Sequence, residues 1–319
     1  MEDQKSSKPL RVFLWMVPRT NSTVFTKCMS FVEDTEVWME PFMACMLNET
    51  FYNPEWGTDM PVMIKLRTLV KELMEKEEFI TFRKQEVEKA SKYGNVWLQD
   101  KFRYPWLKKQ LEMDPKDKKF VFIKDQACAI NDHLEHLPDV PTRHTFLIRH
   151  PQEAYPSFKN VAVNYFEFAK LPWDEFHLGN DMPYFPTKEF YQIQCNLWKY
   201  VKENLDPEAI IIDGFDLTTK PEVVLPKYFD KLGIPYKDSY LQWESDPELV
   251  YSSWKGSSEF VFIASKTTAT SRAVESSRFD PPKTPRGTSN PAWKMTDELK
   301  EYVSYSMPYY EEMYANRLT

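Results

Sequence analysis

Six consecutive residues, Val12-Phe-Leu-Trp-Met-Val17, carry no charged or hydroxyl-bearing side chain, and Pro18 stops the run. A strand with one face in water alternates apolar and polar residues. A strand that is apolar throughout is buried on both faces, as in a parallel sheet covered by helices. The next residues agree with that reading. Pro18-Arg-Thr-Asn-Ser-Thr23 is a turn sequence, and Ser22 to Val32 sets Phe25, Cys28, Met29 and Val32 at helical spacing with Ser22 and Thr23 as caps. Thr35-Glu-Val-Trp-Met39 reads as a second short strand, which completes a β-loop-α-β unit.

The pattern continues along the chain. Lys119 to Asp125, Thr145 to Arg149 and Ala209 to Asp213 read as buried strands. Helices are expected after His150-Pro151, over about 188–204, over Pro221 to Leu232 with Gly233 as its C-terminal cap, and over about 296–317. Strands alternating with helices imply an α/β fold, a central parallel sheet flanked by helices in doubly wound fashion, with ligands at the carboxyl ends of the strands. The stretch 60–110 reads as a charged, solvated helical insertion, and 265–290, rich in Ser, Thr, Pro and Arg, as a long loop or lid. No repeat or linker divides residues 1–319, so a single domain is expected.

With 42% hydrophobic residues among 319, the chain has ample material for a core. A net charge of −7 argues against nucleic acid or a polyanionic glycan as the main partner, while leaving room for a local basic pocket. The four cysteines at 28, 45, 128 and 195 are too scattered for a CxxC site and read as reduced thiols. The polar start MEDQKSSKPL is not a signal peptide, and no apolar run reaches the ~18 residues of a membrane span. A cytoplasmic protein, monomer or homodimer, is the expectation.

Two stretches carry chemistry. In Pro18 to Thr23, backbone N–H groups at a helix start, the charge of Arg19 and the hydroxyls of Thr20, Ser22 and Thr23 suit a phosphate or sulfate group. A capped helix start beside an exposed arginine leaves the same trace. A nucleoside triphosphatase or kinase loop needs GxxxxGK[ST], and none of the seven glycines precedes Gly57. In Phe146-Leu-Ile-Arg-His-Pro-Gln-Glu-Ala-Tyr-Pro-Ser157, Arg149 ends a strand and Ser157 lies eight residues on, within the next helix.

Together these stretches resemble the PAPS-dependent sulfotransferases, whose 5′-phosphosulfate loop reads P-[KR]-[ST]-G-T-[TS] and whose 3′-phosphate element pairs a strand-end Arg with a Ser eight residues downstream. The resemblance implies a P-loop-like sulfotransferase fold and nucleotide binding. PAPS (3′-phosphoadenosine 5′-phosphosulfate) would be the co-substrate, PAP the product, and no metal would be required. It also implies that Arg19, Thr20, Asn21, Ser22 and Thr23 hold the 5′-phosphosulfate, and Arg149 and Ser157 the 3′-phosphate. Asn21 stands where the family has glycine; asparagine tolerates the left-handed backbone such a turn needs.

Many members of the family take their base from a histidine in K-[TA]-H, where this chain has Lys124-Asp-Gln126. A second branch uses a glutamate after the second strand, which Trp38-Met-Glu-Pro41 matches. Glu40 is therefore the expected general base and Lys124 a cation near the sulfuryl group, with Asp125 orienting Lys124 or serving as the alternative base. A first-turn carboxylate beside Pro41 and a solvent-facing lysine are the bland alternatives. Asp213-Gly-Phe-Asp-Leu217 resembles the family's Y-E-D-L segment with Gly214 in the tyrosine's place, and Phe215 either takes over its stacking or belongs to the core. Trp254-Lys-Gly256, Lys283 and Arg286 are candidates for further 3′-phosphate contacts. His133 and His136 read as a polar face, without an implied metal.

The expected activity is sulfuryl transfer from PAPS to a hydroxyl or amine of a small-molecule acceptor. An inactive PAP-binding module on the same fold is the alternative, favoured by Gln126 and Asn21. Aromatic and Met-rich stretches (Trp38 to Met46, Tyr165 to Phe176, Tyr184 to Phe190) line an acceptor pocket or belong to the core.

Overall fold

A computed structural model describes residues 8–319 except 53–56, 78–79, 82–83, 86–87, 89–91, 93–94, 116, 169–175, 247, 259 and 261–267. The apolar run forms β1 (Leu10–Met16), fully buried after Leu10. It is flanked on both edges in parallel, by β4 (Phe120–Gln126) and β5 (Thr142–Ile148). With β2 (Thr35–Met39), β3 (Val96–Trp97), β6 (Ile210–Asp213) and β7 (Trp254–Ser257) they make a seven-stranded parallel sheet of order β3-β7-β2-β4-β1-β5-β6. The expected α/β class is what is found.

Side chains of β1 alternate between two apolar layers. Phe13 and Trp15 point to the layer that includes residues of α2 (Pro41–Tyr52), α4 (Tyr104–Glu112), α5 (Pro151–Phe168), α6 (Phe190–Asn204) and α10 (Asp297–Ala315). Val12, Leu14 and Met16 point to the other, shared with α1 (Ser22–Ser30) and α8 (Pro221–Leu232). A strand with helices on both faces cannot spare a polar position, which is why the run is continuous. Within the first layer, Trp15 donates through Nε1 to His144 Nδ1 at 3.0 Å, which fixes the imidazole proton on Nε2, beside Thr142 Oγ1. Burial pulls His144 down to about 4, aided by Arg143 and opposed by Asp206.

Two expectations are corrected. The insertion at 60–110 is not helical throughout: α3 (Pro61–Met74) and α4 bracket the short strand β3. The expected loop at 265–290 contains α9 (Thr268–Glu275); residues 265–267 lie outside the described ones. Thr and Ser at 268, 270 and 271 compete for backbone hydrogen bonds and weaken an isolated helix. Tertiary contacts supply what propensity lacks. Buried Lys27 of α1 donates to the carbonyls of Val274 (2.5 Å) and Ser276 (2.8 Å), capping the carboxyl end of α9. Trp254-Lys-Gly256 forms most of β7, and Lys255 pairs with Glu36 at 2.7 Å over the Trp38 ring. Its ammonium is thus spent within the sheet. Among the described residues no helix is long and apolar enough to cross a membrane.

Candidate active site

Every strand of a parallel sheet ends on the same edge, so the residues following β1, β2, β4, β5 and β6 gather there. After β1 the chain turns sharply: Arg19 and Asn21 both take left-handed backbone, φ 70° and 69°. Asn21 occupies the N-cap position of α1, and its side chain does not cap that helix. First-turn N–H groups without a side-chain acceptor, at the positive end of a helix, are suited to an anion. Thr20 is buried and spends its hydroxyl on the Val17 carbonyl at 3.1 Å, while Ser22 is buried and Thr23 half-buried at the helix start.

Asn21 also donates from Nδ2 to the Gly214 carbonyl at 3.3 Å. Gly214 opens the short helix α7 (Gly214–Thr219), and a Cβ there would stand 2.6 Å from the Thr20 carbonyl oxygen. Only glycine lets the end of β6 pass so close beneath the loop. The two departures from the resembled family, Asn21 for glycine and Gly214 for tyrosine, therefore touch each other.

The two sequence motifs, over a hundred residues apart, interlock. Arg149 donates from Nη1 to the Arg19 carbonyl at 2.9 Å, and Arg19 from Nε to Ser157 Oγ at 3.1 Å. Glu153, buried one turn into α5, holds Arg149 Nε at 2.9 Å and also accepts the Gly287 N–H at 2.7 Å. Burial and the charges of Arg149 and Arg272 push Arg19 down to about 10, against a smaller upward pull from Glu40. The charges of Arg149 and Arg272 both oppose that of Arg19 beside this helix start, a strain that an anion would relieve. Arg272 was not singled out in the sequence, because α9 gives no periodic signal that would aim it at the loop.

On the other side of β1 the parallel register pairs Met39 with Lys124, so the next residue, Glu40, meets the lysine. Glu40 has φ 50°, a left-handed backbone held by its own N–H donating to the Lys124 carbonyl at 2.7 Å. Its carboxylate accepts from Lys124 Nζ through one oxygen and from Gln126 Nε2 at 3.0 Å through the other. Gln126 thus positions the carboxylate. Lys124 is buried with its ammonium on Glu40, not facing solvent.

Asp125 is placed differently from expectation. It is fully buried, and its oxygens accept the N–H groups of Phe42 (2.5 Å), Met43 (3.1 Å) and Gln126 (2.8 Å), so it caps α2 from outside that helix. No contact with Lys124 is among these bonds. Burial, with neighbouring Glu40, raises its carboxyl well above the usual range, although the three N–H donors oppose this.

Arg286 pairs with Asp213 (2.8 Å) and Asp216 (2.7 Å) and lies 4.7 Å from the ring centres of both Phe215 and Tyr314. Lys283 is exposed. Phe215 therefore stacks on an arginine of the chain itself. His150 serves the strand–helix turn, its Nδ1 accepting from the Gln152 N–H at 3.2 Å. His133, Glu135 and His136 bring donor atoms within 4.8 Å of one another, partly exposed, with both imidazoles stacked on Tyr104. Part of the aromatic stretch Tyr165 to Phe176, residues 169–175, lies outside the described ones.

No protein-family model matches this chain, and no curated protein does. Solved structures similar in outline include the following three. They are a sulfotransferase domain from the curacin biosynthetic pathway (15% identity, TM-score 0.45, covering 93% of this chain and 98% of that one), and a sulfotransferase domain from the Synechococcus PCC 7002 olefin synthase (15%, 0.41, 99% and 98%). The third is the sulfotransferase STF9 from Mycobacterium avium (13%, 0.31, 73% and 66%). At these scores the likeness assigns neither an activity nor the role of any residue.

Proposed function

We propose that the chain is a sulfotransferase that moves the sulfuryl group of PAPS to a hydroxyl or amine of a small acceptor. The observation that carries this reading is the interlock of Arg19, Arg149 and Ser157 at the uncapped start of α1, with the Glu40–Lys124 pair one strand away. One end of the site offers cations and backbone donors for two phosphate groups. The other offers a carboxylate and an ammonium where an acceptor would meet sulfur.

In this reading the N–H groups of the loop and Arg19 hold the 5′-phosphosulfate, and Arg149 with Ser157 holds the 3′-phosphate. Thr20 contributes its backbone, since its hydroxyl is committed to Val17. The acceptor oxygen or nitrogen attacks sulfur, and the sulfur–oxygen bond to the 5′-phosphate breaks with its electron pair going to PAP. The acceptor's proton passes to Glu40. Lys124, beside Glu40, neutralises charge on the sulfuryl oxygens, and Gln126 keeps the carboxylate aimed. Asp125 acts on this site only by anchoring α2, the helix that starts beside Glu40.

The test is PAP binding read as a rise in melting temperature, together with sulfuryl transfer measured by PAP release. Arg149→Ala is expected to abolish the PAP-induced rise. Glu40→Gln is expected to keep that rise and lower kcat by about 10²–10⁴-fold, the usual contribution of a general base. Saturating PAP that leaves the wild-type melting temperature unchanged would refute the reading. Full PAP binding without transfer to any acceptor would favour an inactive binding module.

A further inference from the structure

A cavity of about 380 Å³ opens where the turn after β4 faces the start of α6. One wall carries Cys128, Asn131 and Asp132, and the facing wall Glu189, Gln192 and Asn196. It is linked to the expected base through two contacts: the lining residue Cys128 has its Sγ 4.0 Å from Gln126 Oε1, and the Gln126 amide donates to Glu40. The volume sits at the small end of the ~300–1,000 Å³ typical of ligand pockets.

Its chemistry is one-sided. Two carboxylates and three carboxamides line it, and none of its lining residues is Lys or Arg. Among the described residues neither carboxylate forms an ion pair. Asp132 accepts from neutral Asn131 at 2.7 Å, and Lys188, next to Glu189, is committed to Glu301 at 2.7 Å. Tyr305 donates to Gln192 Oε1 at 2.7 Å, which leaves the Gln192 NH₂ to donate to a hydroxyl. An apolar phenol would leave these polar groups unpaired, and an acid would face two like charges.

We propose that this cavity is the acceptor site and that it takes a small, hydroxyl-rich cation, an amino sugar or amino polyol. The ammonium faces Asp132 and Glu189, the carboxamides bond the hydroxyls, and one hydroxyl reaches past Gln126 to Glu40. That hydroxyl oxygen bonds to the sulfur of PAPS as the sulfur–oxygen bond to PAP breaks, and its proton goes to Glu40. The proposal rests on the sulfuryl-transfer reading.

The test uses one ring with three charges: glucosamine, glucose and glucuronate, each assayed with PAPS by PAP release, with 4-methylumbelliferone as a phenolic comparison. The expected kcat/KM is highest for glucosamine, at least tenfold lower for glucose, and lower again for glucuronate. In the double variant Asp132→Asn/Glu189→Gln, KM for glucosamine should rise at least tenfold and that for glucose change less than twofold, with the PAP-induced melting shift at its wild-type value. A flat ranking, a preference for the phenol, or an unchanged preference in the double variant overturns the proposal. So does a lack of transfer to all three sugars while PAP still stabilises the fold, and the donor reading survives that outcome. Loss of the PAP shift in the wild type instead removes the donor reading itself.

Discussion

Replacing Gly214 with alanine tests whether the close pass of β6 beneath the loop sets the donor site. The added Cβ would stand 2.6 Å from the Thr20 carbonyl oxygen and 3.3 Å from that of Ile148. Ordinary carbon–oxygen contacts lie at ~3.3–3.6 Å, so the loop must retreat by roughly 0.7 Å. Both neighbours are backbone, and neither can swing aside as a side-chain tip would. Overpacking of this kind costs about 1–3 kcal/mol, or about 1.5–4.5 °C of melting temperature for a chain of this length. The retreat also moves the N–H groups and Arg19. Loss of one charge-assisted hydrogen bond, ~1.5–3 kcal/mol, weakens PAP about tenfold or more.

The control is Gly233→Ala, at the carboxyl cap of α8, where φ is 68° and nothing lies within 4 Å of the added carbon. Its left-handed backbone makes alanine cost about 1–2 kcal/mol there, with no path to the loop. Differential scanning fluorimetry and calorimetric titration with PAP, run on both variants, separate the effects. Comparable destabilisation with weakened PAP only in Gly214→Ala is the expected result. Wild-type PAP affinity in Gly214→Ala would refute the reasoning.

Further outcomes can be checked by similar means. Asp125→Ala should lower stability by about 0.5–2 kcal/mol through loss of the cap on α2 and leave the pH profile of turnover unchanged; a shifted profile would make Asp125 the base. Arg272→Ala should weaken PAP severalfold and flatten its salt dependence, since Arg272 is exposed and acts through charge. His144 is held near 4 against 6.5 for the free group. Its contribution to stability is therefore complete above pH 6.5 and is lost as pH falls from there towards 4. The contribution is roughly 3 kcal/mol. Urea midpoints at pH 7 and pH 4.5 should therefore fall more in the wild type than in His144→Gln, and equal falls would show that His144 is not the group responsible.

The sequence named candidate groups but not the groups they contact. Continuous apolar runs at 12–17, 120–123 and 209–212 are visible because burial on both faces removes polar positions there. β3 and β7, with two and four residues, are too short for any period and exist because neighbouring strands pair with them. The left-handed turn at Asn21 was legible from residue type, since few side chains tolerate that backbone. The reason for Gly214 was not legible, because it lies in a contact with a residue 194 positions away. Asp125 shows the same limit: a strand-end carboxylate next to a lysine reads as chemistry until the N–H groups it caps are seen.

By itself, then, the chain determined an α/β sheet with a sharp turn after its first strand, because local pattern and backbone tolerance act within a few residues. Only the tertiary structure decided that Arg149 and Ser157 close on that turn from one side while Glu40 and Lys124 meet on the other. That arrangement depends on strand order and register, with β1 between β4 and β5 and Met39 level with Lys124. Strand order and register are set by how whole layers pack, and no short stretch of sequence contains them.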